Sequence, residues 1–109
     1  GMFNGRRILS EASVQYLLQA HTTSSMIKYA PKVAEGYNYA AGSWVIQTVV
    51  NGNPSVLASP GLFGTWPMID LCRNYAVVFF AKEFMSEDRR DVYLNLKKKI
   101  DEQIASNCQ

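Results

Sequence analysis

The chain has 109 residues, of which 48% are hydrophobic and 18% are charged, and its net charge is +2. This composition excludes an intrinsically disordered chain, which combines low hydrophobicity with a high net charge. So small a charge gives no basis for binding nucleic acid, and the longest apolar run, Tyr75 to Ala81, is too short to span a bilayer. We therefore expect one domain over residues 1–109, with no nucleic-acid partner and no membrane span.

The first predicted element is a helix that begins after Ser10 and ends near Ala20. Ser10 is a suitable N-cap, and Glu11 lies in the first turn, where the helix dipole favours a carboxylate. The apolar stripe of this helix consists of Val14, Leu17 and Leu18. Residues 21–36 then form a connection to the next element.

The middle of the chain predicts antiparallel strands. Residues from Tyr39 to Val50 are rich in β-branched and aromatic types, as strands are. Asn51-Gly52 follows them and is a strong hairpin signal, so Val56 to Ser59 is expected to return as the second strand.

Two further strands are predicted on either side of a turn at Arg73-Asn74. The earlier one contains Pro67, whose missing N–H predicts a sheet edge or a bulge at that point. The later one, Tyr75 to Lys82, is almost continuously apolar, which is typical of a strand covered on both faces.

A second helix is predicted over Ser86 to Ile104, with Ser86 as its N-cap. We expect Lys97-Lys98-Lys99 to form part of its solvated face. The face that packs on the sheet is predicted to consist of Tyr93, Leu96, Ile100 and Ile104. The predicted fold is therefore α+β, an antiparallel sheet of three to four strands flanked by an N-terminal and a C-terminal helix.

The reactive residue types form no recognisable site by spacing alone. Cys72 and Cys108 make neither a disulfide framework nor a metal site, and we expect a semi-buried Cys72 and a Cys108 in a frayed tail. His21 has no neighbour at ligand spacing, so we expect it at a helix C-terminus or in solvent. Asp70 has no second carboxylate near it in sequence, and a place at a strand end is expected. No cofactor or metal is predicted.

Four pieces of the chain together resemble the C-terminal part of the serine β-lactamase and penicillin-binding-protein superfamily. Ser59 to Asp70 is similar to its third active-site element, a strand end and small-residue turn that line the acyl-transfer site. Ile8 to Val14 resembles a helix start, Gly36 to Trp44 a strand, and Ser86 to Ile104 the C-terminal helix of that superfamily. The resemblance covers about residues 8–104, but only the last third or so of a complete enzyme.

The resemblance implies roles for four residues of the turn. Ser59 stands where the superfamily has Lys or His, and Pro60 where it has a hydroxyl or variable residue. Gly61 would let a substrate lie against the strand, and the N–H of Leu62 would be one of the two donors to the acyl oxyanion. A Ser in place of the cation removes a partner for a substrate carboxylate. From the residues alone, a strand-terminating turn is the favoured interpretation of Ser59-Pro60-Gly61.

The nucleophile motif of the superfamily is not found in a suitable place. Its Ser-x-x-Lys lies at the start of a buried helix, where Lys helps to deprotonate Ser. Ser25 and Lys28 have the spacing but fall in the predicted connection, so we interpret them as a coincidence. The match to the second motif, Tyr93-Leu94-Asn95, falls in the predicted C-terminal helix.

Three functions follow as hypotheses. The chain is a C-terminal fragment of a β-lactamase-like serine hydrolase, inactive alone; or a stand-alone interaction module; or a subunit that completes a site with another chain. The substrate stays open between β-lactam, peptide and ester, and the resemblance implies a periplasmic or extracellular location for a complete parent. Because the C-terminal helix can cover only one face of the sheet, we also expect self-association or an exposed apolar surface. The alternative is that the first helix folds over the other face, which would favour the stand-alone module.

Overall fold

The computed structural model describes residues 1–82 and 89–108 of the chain. Its helices and strands are, in order, β1 (Met2–Phe3), β2 (Arg6–Arg7), α1 (Glu11–Leu18), β3 (Asn38–Tyr39), β4 (Trp44–Thr48), β5 (Pro54–Ala58), β6 (Trp66–Asp70), β7 (Tyr75–Phe79) and α2 (Arg90–Asp101). Strands β1 and β2 form a small hairpin, and β3 to β7 form an antiparallel sheet in which each strand lies beside its neighbour in sequence. Two short 3-10 turns, at Ser24–Met26 and Lys32–Ala34, lie between α1 and β3.

The predicted fold class was wrong. The main sheet has five strands rather than three to four, and a two-stranded hairpin precedes it, so the described part is mostly β. The long strand predicted from Tyr39 to Val50 is interrupted near its start. Gly42 has a φ of +105°, which L side chains avoid, and the chain reverses there to pair Tyr39 with Trp44. One predicted strand is therefore a tight hairpin of two.

Helix α1 begins where it was expected but covers little of the sheet. The predicted cap is confirmed, since the Ser10 side chain accepts a 3.0 Å hydrogen bond from the Ser13 N–H. The helix ends at Leu18, and none of its residues is buried. His21 lies at its C-terminal end and its Nε2 donates to the Tyr16 carbonyl at 2.7 Å, as expected of a residue at a helix terminus.

The two predicted turns are confirmed. Between β4 and β5, the Val49 N–H bonds the Asn53 carbonyl and the Gly52 N–H bonds the Val49 carbonyl. Gly52 has a φ of +84°, the left-handed conformation that closes this kind of hairpin. Between β6 and β7, Asn74 takes a φ of +53°, which Asn tolerates better than most residues.

The edge or bulge predicted at Pro67 is wrong, because β6 lies between β5 and β7 and Pro67 pairs with Val78. The Pro67 carbonyl accepts a 3.0 Å bond from the Ser59 N–H, just past the end of β5. In an antiparallel pair the N–H and C=O of one residue point to the same neighbour. The N–H that Pro67 lacks would therefore point towards β5 beyond the end of that strand.

Strand β7 is an edge strand, and the prediction that both its faces are covered was wrong. Tyr75, Val77 and Phe79 are half-buried and pack against the core below α2. The alternate residues face outward, with Val78 48% exposed. Phe80, just after the strand, is 80% exposed. The other face of β7 is open to solvent.

Helix α2 is confirmed over Arg90–Asp101, while the predicted cap Ser86 lies outside the described residues. Tyr93 is buried as predicted, but Leu96 is 43% exposed. The residue one turn after Tyr93 that faces the sheet is Lys97, which is 1% exposed. The solvated position predicted for this lysine was wrong, and Lys98 beside it is exposed.

The hydrophobic core lies mainly between the sheet and α2. It contains Val33, Ile46, Val56, Ala58, Trp66, Met68 and Tyr93. A smaller cluster on the opposite face is formed by Ala40, Val45 and Leu57, with Leu18 and Ile69 against it. Among the helices of residues 1–82 and 89–108, none has both the length and the apolarity needed to cross a membrane.

A disulfide joins Cys72 to Cys108, which corrects the expectation that the two cysteines make no disulfide framework and that Cys108 lies in a frayed tail. Cys72 is 5% exposed in the turn between β6 and β7, and Cys108 lies in the tail after α2. The Asn107 N–H donates to the Cys72 carbonyl at 2.7 Å, so the tail runs beside the turn. The bond therefore ties the tail after α2 to the β6–β7 turn.

Candidate functional site

The predicted turn, Ser59 to Thr65, is a closed loop between β5 and β6. The Gly61 N–H donates to the Thr65 carbonyl at 2.7 Å, and the Gly64 N–H to the Gly61 carbonyl at 3.1 Å. A Cβ placed on Gly61 would lie 3.3 Å from the Thr65 backbone oxygen and Cβ. A larger residue there must therefore displace Thr65, which gives a local reason for glycine.

This loop borders a cleft of about 290 Å³. The cleft is formed by three parts of the chain: the connection before β3, the β5–β6 loop and helix α2. Residues that form its walls include Tyr29, Pro31, Pro60, Leu62, Trp66 and Tyr93. The structure thus brings Pro60, Gly61 and Leu62 to one cleft, whereas Ser59 is not among its lining residues.

Leu62 lies on the rim of this cleft and is 59% exposed. Within residues 1–82 and 89–108, no acceptor hydrogen-bonds its backbone N–H. A free backbone donor on the rim of a cleft has the chemistry required of an oxyanion donor.

The inner wall of the cleft is a pair of stacked rings. Trp66 and Tyr93 have ring centroids 4.5 Å apart and planes inclined by 16°. The Tyr93 hydroxyl donates to the Gly64 carbonyl at 2.7 Å, which ties α2 to the loop, and burial raises the pKa of that hydroxyl. Trp66 is 1% exposed, and its Nε1–H meets no acceptor in the described part of the chain.

The structure does not bring Ser25 and Lys28 together as a catalytic pair. Ser25 lies in a 3-10 turn rather than at a helix start, and both residues are exposed. The Ser25 hydroxyl bonds the Thr23 hydroxyl at 2.9 Å. Tyr93, of the second-motif match, is buried in α2 with its hydroxyl directed to Gly64. These findings favour the interpretation of Ser25 and Lys28 as a coincidence.

A buried cluster of charges lies elsewhere, between β6 and α2. Asp70 and Lys97 are each 1% exposed, and the Lys97 Nζ lies 2.8 Å from the Asp70 carboxylate and 2.5 Å from that of Asp101. The Tyr75 hydroxyl donates to Asp101 at 3.0 Å, and the Arg73 backbone N–H donates to Asp70 at 2.9 Å. This cluster contains none of the residues that line the cleft. Its position indicates an anchor of α2 on the sheet.

The strand-end position predicted for Asp70 is confirmed, but its partners were missed. The four-residue spacing of Lys97 and Asp101 on one helix face is the signal from which part of the cluster could have been found. Asp70 is 27 residues from Lys97 in the chain, and no local pattern connects the two.

The partners of Asp70 determine its ionisation. Burial alone raises the pKa of this carboxyl, but hydrogen bonds from Lys97 and the Arg73 backbone, with the positive charges of both residues, lower it below its ordinary value. Burial also raises the pKa of the Tyr75 hydroxyl, as does its hydrogen bond to the Asp101 carboxylate. The cluster is thus stable with Asp70 ionised and Tyr75 neutral.

The free energy of unfolding is expected to decrease in acid because of Asp70. Its folded pKa is below its unfolded pKa of about 3.9, so its contribution is complete above that pH and is lost as the pH falls through the folded pKa. Urea unfolding between pH 2 and pH 7 measures this loss. The Asp70→Asn variant should have a shallower acid slope, and an equal slope in both proteins would contradict the assignment.

Among the described residues, no group of three His, Cys, Asp or Glu side chains could hold a metal ion. Comparison of the chain with protein-family models, with curated proteins and with solved structures finds no match. The resemblance described above therefore depends on the sequence motifs alone.

Proposed function

We propose that this chain supplies one wall of an acyl-transfer site of the β-lactamase-like type, and that the serine nucleophile belongs to a polypeptide segment outside this sequence. The observation that carries the proposal is the backbone N–H of Leu62, free of acceptors in the described residues on the rim of a cleft. The motif that resembles the third element of that superfamily contains this residue.

The chemistry of acyl transfer allows the oxyanion donor and the serine nucleophile to come from different polypeptide segments. An acyl oxyanion requires donors placed where its charge develops, and a backbone N–H in a fixed turn meets that need without a charged side chain. The hydrogen bonds of Gly61 and Gly64 hold this turn in place. Ser25, which has Lys28 three residues after it, is exposed and lies in a 3-10 turn rather than in a buried helix. The chain alone is therefore expected to have no acyl-transfer activity.

A fluorophosphonate probe, which reacts with activated serines, tests this proposal. The isolated chain is expected to stay unlabelled. Addition of the polypeptide encoded immediately upstream, where that polypeptide contains Ser-x-x-Lys, is expected to produce labelling on the added serine at a rate higher than that polypeptide shows alone.

The control is the Ser25→Ala variant, which is expected to support the same labelling as the unaltered chain. Covalent labelling of Ser25 in the isolated chain would overturn the proposal. So would an upstream polypeptide that contains the motif and whose labelling is unaffected by this chain.

We also propose, as a second function, self-association through the edge of β7. In the described residues β7 is paired on one side only, and the stretch from Tyr75 to Ala81 contains no charge or proline to block a further strand. Val78 and Phe80 are exposed on the same face, beside the position that a strand of a second copy would take. Because the edge is uncharged, two copies meet without like charges opposite each other.

Light scattering at several concentrations is expected to give a mass that rises above 12.2 kDa, the mass of one chain. Val78→Lys places a charge in the edge strand and should restore the monomer mass. Val50→Lys, at a residue 98% exposed in the β4–β5 turn, is the matched control and should not. A mass of 12.2 kDa at all concentrations would contradict self-association.

A further inference from the structure

The cleft-lining residues that the structure describes carry no charge. Within residues 1–82 and 89–108 the lining consists of aromatic, proline, aliphatic, glycine and threonine residues, without Lys, Arg, Asp, Glu or His. Ser59 occupies the position where the resembling superfamily has a cation, and it does not line the cleft. A carboxylate that enters this cleft therefore loses water and gains no ion-pair partner among the lining residues. Such a transfer is strongly unfavourable.

Two neutral donors at the cleft have no partner among the described residues. The Leu62 N–H is on the rim, and the Trp66 Nε1–H is buried in the inner wall without an acceptor among the described residues. An unsatisfied buried donor is unfavourable, and an acceptor that reached the indole N–H would remove this penalty. The Tyr93 hydroxyl already donates to Gly64 and needs no ligand.

The size of the cleft sets the size of the ligand. A cavity of roughly 150 Å³ holds a benzene ring, and this cleft measures about 290 Å³. There is room for one ring or a branched aliphatic group together with the carbonyl attached to it. The stacked Trp66 and Tyr93 rings offer an aromatic surface to such a group.

We infer that the cleft binds the acyl part of a neutral ester or amide, with an aromatic or branched apolar group beside the carbonyl, and rejects compounds with a free carboxylate. This inference depends on the proposed function and names the substrate class of that same site. The apolar walls bind the acyl group, and the Leu62 N–H on the rim binds its carbonyl oxygen.

Two probes of nearly equal shape test the inference: phenylacetamide, which is neutral, and phenylacetate, which is anionic at pH 7. Titration of the ¹⁵N-labelled chain, followed by NMR, reports on the Leu62 amide and the Trp66 indole N–H. Phenylacetamide is expected to shift both signals, with a Kd at least tenfold lower than that of phenylacetate. Equal affinities, tighter binding of phenylacetate, or no shift with either probe would overturn the inference.

A matched pair of variants locates the origin of the selectivity. Leu62→Lys adds a cation at the rim while keeping the backbone N–H, and it is expected to improve phenylacetate binding at least tenfold. Val50→Lys adds the same charge at the exposed β4–β5 turn and is expected to leave both Kd values unchanged. If Leu62→Lys leaves phenylacetate binding unchanged, the selectivity does not originate in the cleft and the inference fails.

The two proposals fail in different ways. Selective binding of phenylacetamide without any effect on fluorophosphonate labelling would overturn the acyl-transfer proposal and leave a neutral-ligand site. Labelling that depends on this chain, together with equal binding of the two probes, would overturn only the substrate class.

Discussion

Replacement of Lys97 with methionine is expected to lower the free energy of unfolding by about 3–5 kcal/mol. Lys97 and Asp70 are each 1% exposed and lie 2.8 Å apart. Methionine keeps the apolar length of the side chain but leaves the Asp70 carboxylate buried without its closest cation. Removal of one partner from a buried pair is far more costly than loss of a surface pair. Urea unfolding at pH 7 measures the change.

The matched control is Lys98→Met, because Lys98 is the adjacent residue and is exposed. Its effect should be within about 0.5 kcal/mol. The double variant Asp70→Asn, Lys97→Met removes both buried charges and should recover part of the stability. Equal costs for Lys97→Met and Lys98→Met would contradict the role of the cluster as an anchor of α2.

Loss of the Cys72–Cys108 disulfide is expected to lower the free energy of unfolding by about 4 kcal/mol, the chain-entropy value for a loop of this length. The two cysteines are 36 residues apart, so the reduced unfolded chain gains much conformational freedom. A domain of this size has about 5–15 kcal/mol of stability in total. The bond is therefore a large part of what keeps the chain folded.

Urea unfolding with and without a reductant measures this effect, and the double variant Cys72→Ser, Cys108→Ser is the control. The reductant should lower the midpoint of the unaltered chain and leave that of the double variant unchanged. The same midpoint in all four samples would contradict a structural disulfide. Such bonds persist in oxidising compartments and are rare in the cytosol.

The features predicted correctly are those determined by neighbouring residues. Ser10 caps α1, Gly52 closes the β4–β5 hairpin and Asn74 lies in the β6–β7 turn. Each depends on one residue type whose backbone or side-chain chemistry suits one local conformation. The amphipathic pattern of α2 was predicted only in part, since Tyr93 is buried as its spacing predicts but Leu96 is 43% exposed.

The features that were missed depend on residues far apart in the chain. Lys97 follows the pattern of a solvated lysine run, and only its contact with Asp70 on β6 explains its burial. Pro67 is tolerated inside the sheet because β5 ends opposite it, which depends on strand register rather than on composition. Cys72 and Cys108 show no recognisable spacing, and the path of the tail after α2 brings them together.

The candidate site was predicted in part. Pro60, Gly61 and Leu62 were identified from their motif, and they do line one cleft. The opposite walls, Tyr29 and Tyr93, come from a connection and a helix that no motif links to the turn. A turn motif specifies its own backbone, whereas the cleft beside it forms only when distant elements pack together.

The rate of fluorophosphonate labelling with Leu62 variants tests the central claim most directly. In a mixture with a polypeptide that supplies Ser-x-x-Lys, Leu62→Pro removes the backbone donor, whereas Leu62→Ala keeps it. Unfolding midpoints of both variants, compared with that of the unaltered chain, verify that the fold is retained. Our account predicts that Leu62→Pro lowers the labelling rate by about 100- to 1000-fold, while Leu62→Ala stays close to the unaltered chain. Equal rates for the two variants would contradict it.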